Sequence, residues 1–462
     1  MPDFGIELIR MIGLVILLYY FICLFVTFLV VFGSLVRVAR KMRVVSANLD
    51  LPQEALEPVS VLVPAYNEQL TIVETIRSLL RQDYPQFEIV VVNDGSGDET
   101  LTVLQNAFDL VPLESAGGQM LPSRPVRGTF ISKIDRRILV IDKENGGKAD
   151  ALNAGVNAAR FPLVCCTDAD GIMESDTLKK LACHFARDET VVAVGGVVRP
   201  LNGSTVENGH VSGTGPPHGV WERIQVVEYL RAFLTGRFGW EKANGILIVS
   251  GALGMFQKQV LQEIGGYANT VGEDMELTLR IHETMRKNRR PYKIQMAVDA
   301  VCWTQVPDRL SDLRTQRIRW HKGLTDALFR HRKMLLNPRY GTVGMVSLPV
   351  FWLLEWLGPL IEMTGYCLLI LLLVTGNLTP SAALIFAMAY LYGLIQSLIA
   401  VAAEDKVSRV YPALGDVLRL LGVCLIEPVL YRPLLVFWRC IAVLSIRRKA
   451  VWGTISRRQF SL

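Results

Sequence analysis

Hydrophobic positions in this chain follow two kinds of pattern. Residues 11–36 contain no Asp, Glu, Lys or Arg, and about 20 apolar residues in a helix suffice to cross a bilayer. The run outlasts the apolar core of a cleaved signal peptide and no small-x-small site follows it, so it predicts a retained membrane helix. Between residues 44 and 335 no comparable run occurs. There, residues 59–63, 88–92, 137–141 and 163–167 are short apolar runs that read as strands. Helix-period segments separate them at 68–82, from the Ser96 region to about 110, and at 147–159. This alternation predicts an α/β body with a mostly parallel sheet and right-handed crossovers. Residues 112–135 and 199–220 read as long irregular loops of the lid or insert type.

A second apolar block begins near Val343. Residues 363–403 are uncharged, too many for one helix, and the GNLTPS stretch at 376–381 is a turn signal. Two antiparallel spans are expected. Glu355 and Glu362 lie before or within the first of them, where a carboxylate facing lipid is costly, so they are expected in protein, at an interface or at a channel mouth. Residues 412–445 are apolar but interrupted by Arg419, Glu427, Arg432, Arg439, Pro428 and Pro433. They read as an interfacial or re-entrant segment. The expected division is a membrane helix (1–43), a cytoplasmic body ending in interface helices (44–335), a membrane hairpin with an interfacial segment (336–446) and a basic tail (447–462).

Composition agrees with that division. The chain has 462 residues, 51% hydrophobic and 20% charged, with mean hydropathy +0.31. Those values exclude a disordered chain, a small disulfide scaffold and a collagen-like polymer. Net charge is +6. Arg37, Arg40, Lys41 and Arg43 follow the first span and Arg447, Arg448, Lys449, Arg457 and Arg458 fill the tail, so the remainder is net acidic. The cations are membrane flanks that hold the body on the cytoplasmic side. No nucleic-acid partner is expected, since that needs a basic patch in the body. The cysteines form no CxxC pair and the abutting Cys165 and Cys166 lie in a strand, so reduced, structural thiols are expected. The histidines show no zinc spacing.

The candidate chemistry sits where the strands end. Four strand ends carry PAYNE (64–68), NDGSGD (93–98), KENGGK (143–148) and DAD (168–170). One such cluster would be ordinary turn chemistry. Four on one sheet edge point to a ligand site, because open α/β sheets bind ligands at their carboxyl ends. Asp168 and Asp170 suit a hard divalent cation, Mg²⁺ or Mn²⁺, or else a helix N-cap. Gly146, Gly147 and Lys148 precede a helix and suit a diphosphate, without Walker A spacing. Glu273 and Asp274 open another helix, as dipole-favoured acids or as a general base. In QRIRW (316–320), Trp320 offers a stacking face and Arg319 a fork for pyrophosphate, or the segment is an interfacial helix.

NDGS, NGGKADALNAG, DAD, GED and QRIRW, in this order, resemble the family 2 glycosyltransferases that are membrane-embedded processive polysaccharide synthases, such as bacterial poly-N-acetylglucosamine, hyaluronan and cellulose synthases. The resemblance runs from Val59 to the basic tail. It implies a GT-A fold in which Pro64, Tyr66, Glu68 and Asp94 hold the nucleotide. It implies that Asp168 and Asp170 take UDP and the divalent metal, and that Lys148 lies near the diphosphate. Asp274, with Glu273 beside it, would be the catalytic base, and Gln316, Arg319 and Trp320 would line the acceptor and pyrophosphate site. The implied activity is inverting, processive transfer from a UDP-sugar onto a growing β-linked exopolysaccharide that leaves through the chain's own membrane region. The implied location is the inner (plasma) membrane, with accessory membrane or export subunits as further partners. GED in place of the TED of cellulose synthases leans towards amino sugars and UDP-N-acetylglucosamine, and residues 447–462 are too few for a cyclic-dinucleotide-binding domain. Two rival readings are a non-processive enzyme with a lipid acceptor and an inactive nucleotide-sugar-binding scaffold.

Overall fold

The computed structural model describes residues 3–45, 52–114, 120–407 and 410–445. The basic tail and the glycines at 117 and 118 lie outside the described residues. Among those described, ten strands form one sheet. They are β1 (Val59–Ala65), β2 (Phe87–Asn93), β3 (Leu110–Pro112), β4 (Val126–Ser132), β5 (Ile138–Lys143), β6 (Leu163–Cys166), β7 (Ile172–Met173) and β8 (Val191–Pro200). After a small hairpin, β9 (Thr205–Glu207) and β10 (His210–Gly213), come β11 (Gly254–Gln257) and β12 (Lys293–Thr304). The order across the sheet is β3-β4-β5-β2-β1-β6-β11-β8-β12-β7.

The centre is the expected parallel unit. β1 pairs in parallel with β2 on one side and β6 on the other, and β2 pairs in parallel with β5. Val61, Leu62, Val63 and Ile89 to Val91 are fully buried, as strands covered on both faces must be. The order reverses at β1, so a crevice opens beyond the carboxyl ends of β1 and β6. PAYNE, NDGS, KENGGK and DAD all follow strands of this unit and share that edge.

Both expected irregular loops contain strands. Residues 126–132 form the antiparallel strand β4 against β5. The 199–220 stretch holds the β9–β10 hairpin, turned by Asn208 and Gly209, both at positive φ (49° and 73°). Asn-Gly is the strongest short hairpin signal. Here it is embedded in a Gly- and Pro-rich stretch that masks it.

Among the described residues, four helices are long and apolar enough to cross a membrane: Met11–Gly33, Val343–Val374, Ala382–Glu404 and Leu414–Leu444. The turn expected at 376–381 separates the second and third. The fourth, in the stretch read as interfacial or re-entrant, is long and apolar enough to span. Leu414–Leu444 is one helix with Pro428 and Pro433 inside it, a tolerance available where neighbouring helices satisfy the freed backbone groups. Its charges are matched by neighbours. Glu427 receives Arg231 at 3.1 Å, Arg432 meets Glu362 at 2.5 Å and Arg439 meets Glu355 at 3.4 Å. Glu362 is buried and also accepts from the Tyr19 hydroxyl at 3.2 Å. Its carboxylate closes a helix contact and is not open at a channel mouth.

Candidate active site

The loops at the sheet edge are laced to one another before they meet any ligand. Asn67 Oδ1 accepts from the Gly97 amide at 2.8 Å, and the Ser96 hydroxyl accepts from the Asn67 amide at 3.0 Å. This leaves Tyr66 about half exposed at the crevice, while Glu68 accepts from the Thr71 hydroxyl at 2.8 Å. Pro64 lies at the end of β1, one pairing step before Asn93. Asp94 is 2% exposed and its carboxylate is spent on the glycine loop. It accepts from Lys143 Nζ at 2.5 Å and from the Gly146 and Gly147 amides at 3.0 and 2.7 Å. Asp94 therefore shapes the NGGK loop, a role the sequence reading did not assign. Gly95 has φ +65°, and a Cβ there would stand 2.8 Å from the Asn145 nitrogen, so the approach of the two loops requires glycine.

Lys148 is the first residue of the helix Lys148–Ala158. Its ammonium donates to Asp168 at 2.5 Å and lies 3.4 Å from Glu273. Burial opposes its charge, but the Asp168 and Glu273 carboxylates outweigh burial and hold its pKa above the ordinary lysine value. Glu273 is 5% exposed, and burial raises its pKa against the pull of Lys148. Glu273 thus faces Lys148 as part of the buried support, whereas its neighbour Asp274 is only partly buried. A Cβ on Gly251 would stand 3.0 Å from Lys148 Nζ. Residue 251 is a wall of the site that carries no motif of its own.

The DAD segment caps no helix, because a turn follows it and the next long helix begins at Thr177. Asp168 keeps a side chain 31% exposed, and Asp170 is buried with Oδ2 accepting from the Thr304 hydroxyl at 3.0 Å. Two carboxylates on one loop fit a hard divalent cation that completes its shell with substrate oxygens. Among the described residues no cluster of three or more His, Cys, Asp or Glu side chains could hold a metal ion.

Asp274 lies in the first turn of the helix Glu273–Lys287, where its Oδ1 accepts the Met275 amide at 2.7 Å. That turn rests on the helix Leu310–Arg330, which carries QRIRW. The backbones touch at Gly272 and Gly323: a Cβ on Gly323 would stand 2.8 Å from the Gly272 Cα. Gly323→Ala gains about 0.8–1 kcal/mol of helix propensity, yet overpacking against backbone costs about 1–3 kcal/mol and moves Asp274. Turnover of G323A is expected to fall by up to about 100-fold, while Gly422→Ala, in open space, leaves it unchanged. Steady-state turnover of the two variants checks this.

Within QRIRW, Gln316 and Arg317 are buried and Trp320 is 43% exposed. Arg319 is partly buried on the same stretch. Arg317 lies over the Trp320 ring at 4.2 Å and pairs with Glu228 at 2.6 Å, and the Tyr431 hydroxyl accepts from its Nε at 3.0 Å. Tyr229 faces Trp320 with ring centroids 6.5 Å apart and is within electrostatic reach of Asp168 and Asp170. Burial pushes its hydroxyl up to about 12. Sequence reasoning missed Tyr229, and residue type alone offered no signal for it.

A carboxylate at a helix start, two strand-end aspartates and a cation-bearing glycine loop share the sheet edge at which open α/β folds bind ligands. Residues 60–265 match the Glycosyl transferase family 2 model and residues 163–396 match Glycosyl transferase family group 2. The chain belongs to this glycosyltransferase family. It is similar to the poly-beta-1,6-N-acetyl-D-glucosamine synthase of Staphylococcus aureus (strain COL), 28% identical over 282 residues, which are 61% of this chain and 58% of that protein. The synthase of the same name from Staphylococcus epidermidis is 27% identical over 279 residues, 60% of this chain and 57% of that protein. The match therefore spans under two thirds of these relatives' length. A mannosyltransferase from Pyrobaculum calidifontis, in complex with GDP-Man and Mn²⁺, shares the fold at TM-score 0.56 and 22% identity, covering 86% of this chain and 98% of that one.

Proposed function

We propose that this chain is a processive inverting glycosyltransferase that polymerises a UDP-activated sugar, best matched by UDP-N-acetylglucosamine, into a β-linked exopolysaccharide and passes it through its own membrane helices. The observation that carries this reading is the contact between the Asp274 turn and the QRIRW helix, which is itself anchored through Arg317 and Tyr431 to the apolar helix Leu414–Leu444. A base, an acceptor-stacking Trp320 and a membrane exit lie on one continuous piece of structure.

Asp274 takes the proton of the acceptor hydroxyl as that oxygen attacks the anomeric carbon, and the nucleoside diphosphate leaves from the opposite face, giving inversion. Lys148 faces the leaving diphosphate and offsets its charge. Trp320 and Tyr229 stack the acceptor sugar, with Gln316 and Arg319 on the same helix completing the acceptor and pyrophosphate wall. Tyr66, Pro64 and Glu68 border the nucleotide, over a loop that Asp94 shapes. A divalent cation held by Asp168 and Asp170 would supply charge neutralisation on the diphosphate. Chelation with EDTA is expected to abolish UDP release and Mn²⁺ or Mg²⁺ to restore it, read by a coupled UDP assay. The body is cytoplasmic in this reading, and accessory export subunits are its candidate partners.

The test is purified protein incubated with each UDP-sugar in turn, with UDP release and product length both followed. UDP-N-acetylglucosamine is expected to give long polymer. A product extended by one sugar on a lipid would support the rival lipid-acceptor enzyme, and no UDP release from any donor would support an inactive scaffold.

A further inference from the structure

The helix Val220–Leu230 continues beyond its α-helical part into a π-helical turn, Arg231–Arg237. Such turns carry an extra residue, re-aim side chains and are frequent at functional sites. An arginine stands at each end of this one. Arg231 is absorbed by the fold: it donates to both Glu427 oxygens, at 3.2 and 3.1 Å, and to the Ser397 hydroxyl at 3.0 Å. Arg237 is held differently. Its guanidinium lies 4.2 Å from the Phe233 ring centroid, which fixes its plane. Its Nη1 is buried with no hydrogen-bond partner among the described residues. The groups that act on it electrostatically are the Asp274 carboxylate and the Tyr229 hydroxyl. Burial holds its pKa below the ordinary arginine value, against the pull of those two.

A buried cationic N–H without an acceptor is costly, and a bound oxygen relieves that cost. The surroundings identify which oxygen. Lys148 and Asp168, where a diphosphate would sit, pair with each other, whereas the Phe233 ring under Arg237 lies 6.1 Å from the Tyr229 ring, which lies 6.5 Å from Trp320, and the acid that acts on Arg237 electrostatically is Asp274. Asp274 and Tyr229 are the groups that meet the acceptor: the base that takes its proton and the ring that faces Trp320. We infer that Arg237 binds the acceptor sugar beside Asp274, donating from Nη1 to a hydroxyl or amide-carbonyl oxygen of the last residue of the glycan. The inference rests on the glycosyltransferase reading and adds a specificity residue to it.

The test uses the full chain in detergent, the UDP-sugar that the wild type turns over and a short oligosaccharide of the same sugar as acceptor. Loss of one charged hydrogen bond is expected to raise the acceptor KM of Arg237→Gln about ten-fold or more, with donor KM and acceptor-independent UDP release within two-fold of wild type. If Arg237→Gln melts well below wild type, Arg237→Lys, which keeps charge but loses the planar fork, is read in the same way. A rise in donor KM alone, or no change in either KM, overturns the assignment while leaving the enzyme reading intact. A wild type that releases no UDP from any donor overturns both.

Discussion

Asp274→Asn is expected to lower turnover by about 10²–10⁴-fold, the usual contribution of a positioned general base, while leaving donor binding unchanged. The substitution is close to isosteric. The side-chain oxygen of asparagine can still accept the Met275 amide, which Asp274 Oδ1 does at 2.7 Å, so the helix start survives and only the proton acceptor is lost. Glu273→Gln gives a contrasting result. Glu273 is 5% exposed and 3.4 Å from Lys148, so its loss disturbs the lysine and the donor side, with a rise in donor KM as the main effect. Paired measurement of kcat and donor KM for the two variants separates these roles. An Asp274→Asn enzyme that turns over at the wild-type rate would remove Asp274 as the base.

Arg317→Ala is expected to destabilise the protein by about 3–5 kcal/mol, the cost of leaving one partner of a buried ion pair uncompensated. Arg317 is 2% and Glu228 17% exposed in their side chains, and their contact is 2.6 Å. The Tyr431 hydroxyl accepts from Arg317 Nε at 3.0 Å and donates to Glu228 at 3.3 Å. One guanidinium therefore joins the helix Val220–Leu230, the QRIRW helix and the apolar helix Leu414–Leu444. It also supports Trp320 from 4.2 Å, so activity is expected to fall with stability. Arg317→Met combined with Glu228→Leu removes both charges and should regain most of the stability without regaining the activity. Thermal melting in detergent, followed beside turnover, checks both halves. A single variant as stable as wild type would show that the three helices are held by other contacts.

The legible parts of the fold were those where local pattern and tertiary environment agree. β1, β2, β5 and β6 are apolar because both faces are covered, and each ends in a polar loop on the same edge. β4 was illegible because Val126–Ser132 is a partly exposed strand near the sheet edge, interrupted by Arg127 and Gly128, with no continuous apolar run. The continuity of Leu414–Leu444 is not legible because its charges and prolines would break a helix in isolation, whereas Glu362, Arg231 and Glu355 supply partners for those charges. The site divides in the same way. Lys148, Asp168 and Asp274 stand where the motifs put them, at a helix start, a strand end and a helix start. Tyr229 and Arg237 carry no motif. The fold lays Tyr229 6.5 Å from Trp320 and Phe233, which carries Arg237 over its ring, 6.1 Å from Tyr229, and spacing along a chain contains no trace of those contacts.

The most direct measurement is the size distribution of product made by purified wild-type protein from labelled UDP-N-acetylglucosamine at low conversion of donor. Processive synthesis predicts a small number of long β-linked chains beside unextended acceptor, with UDP released in step with incorporated sugar. A distribution of acceptors each extended by one residue would contradict it.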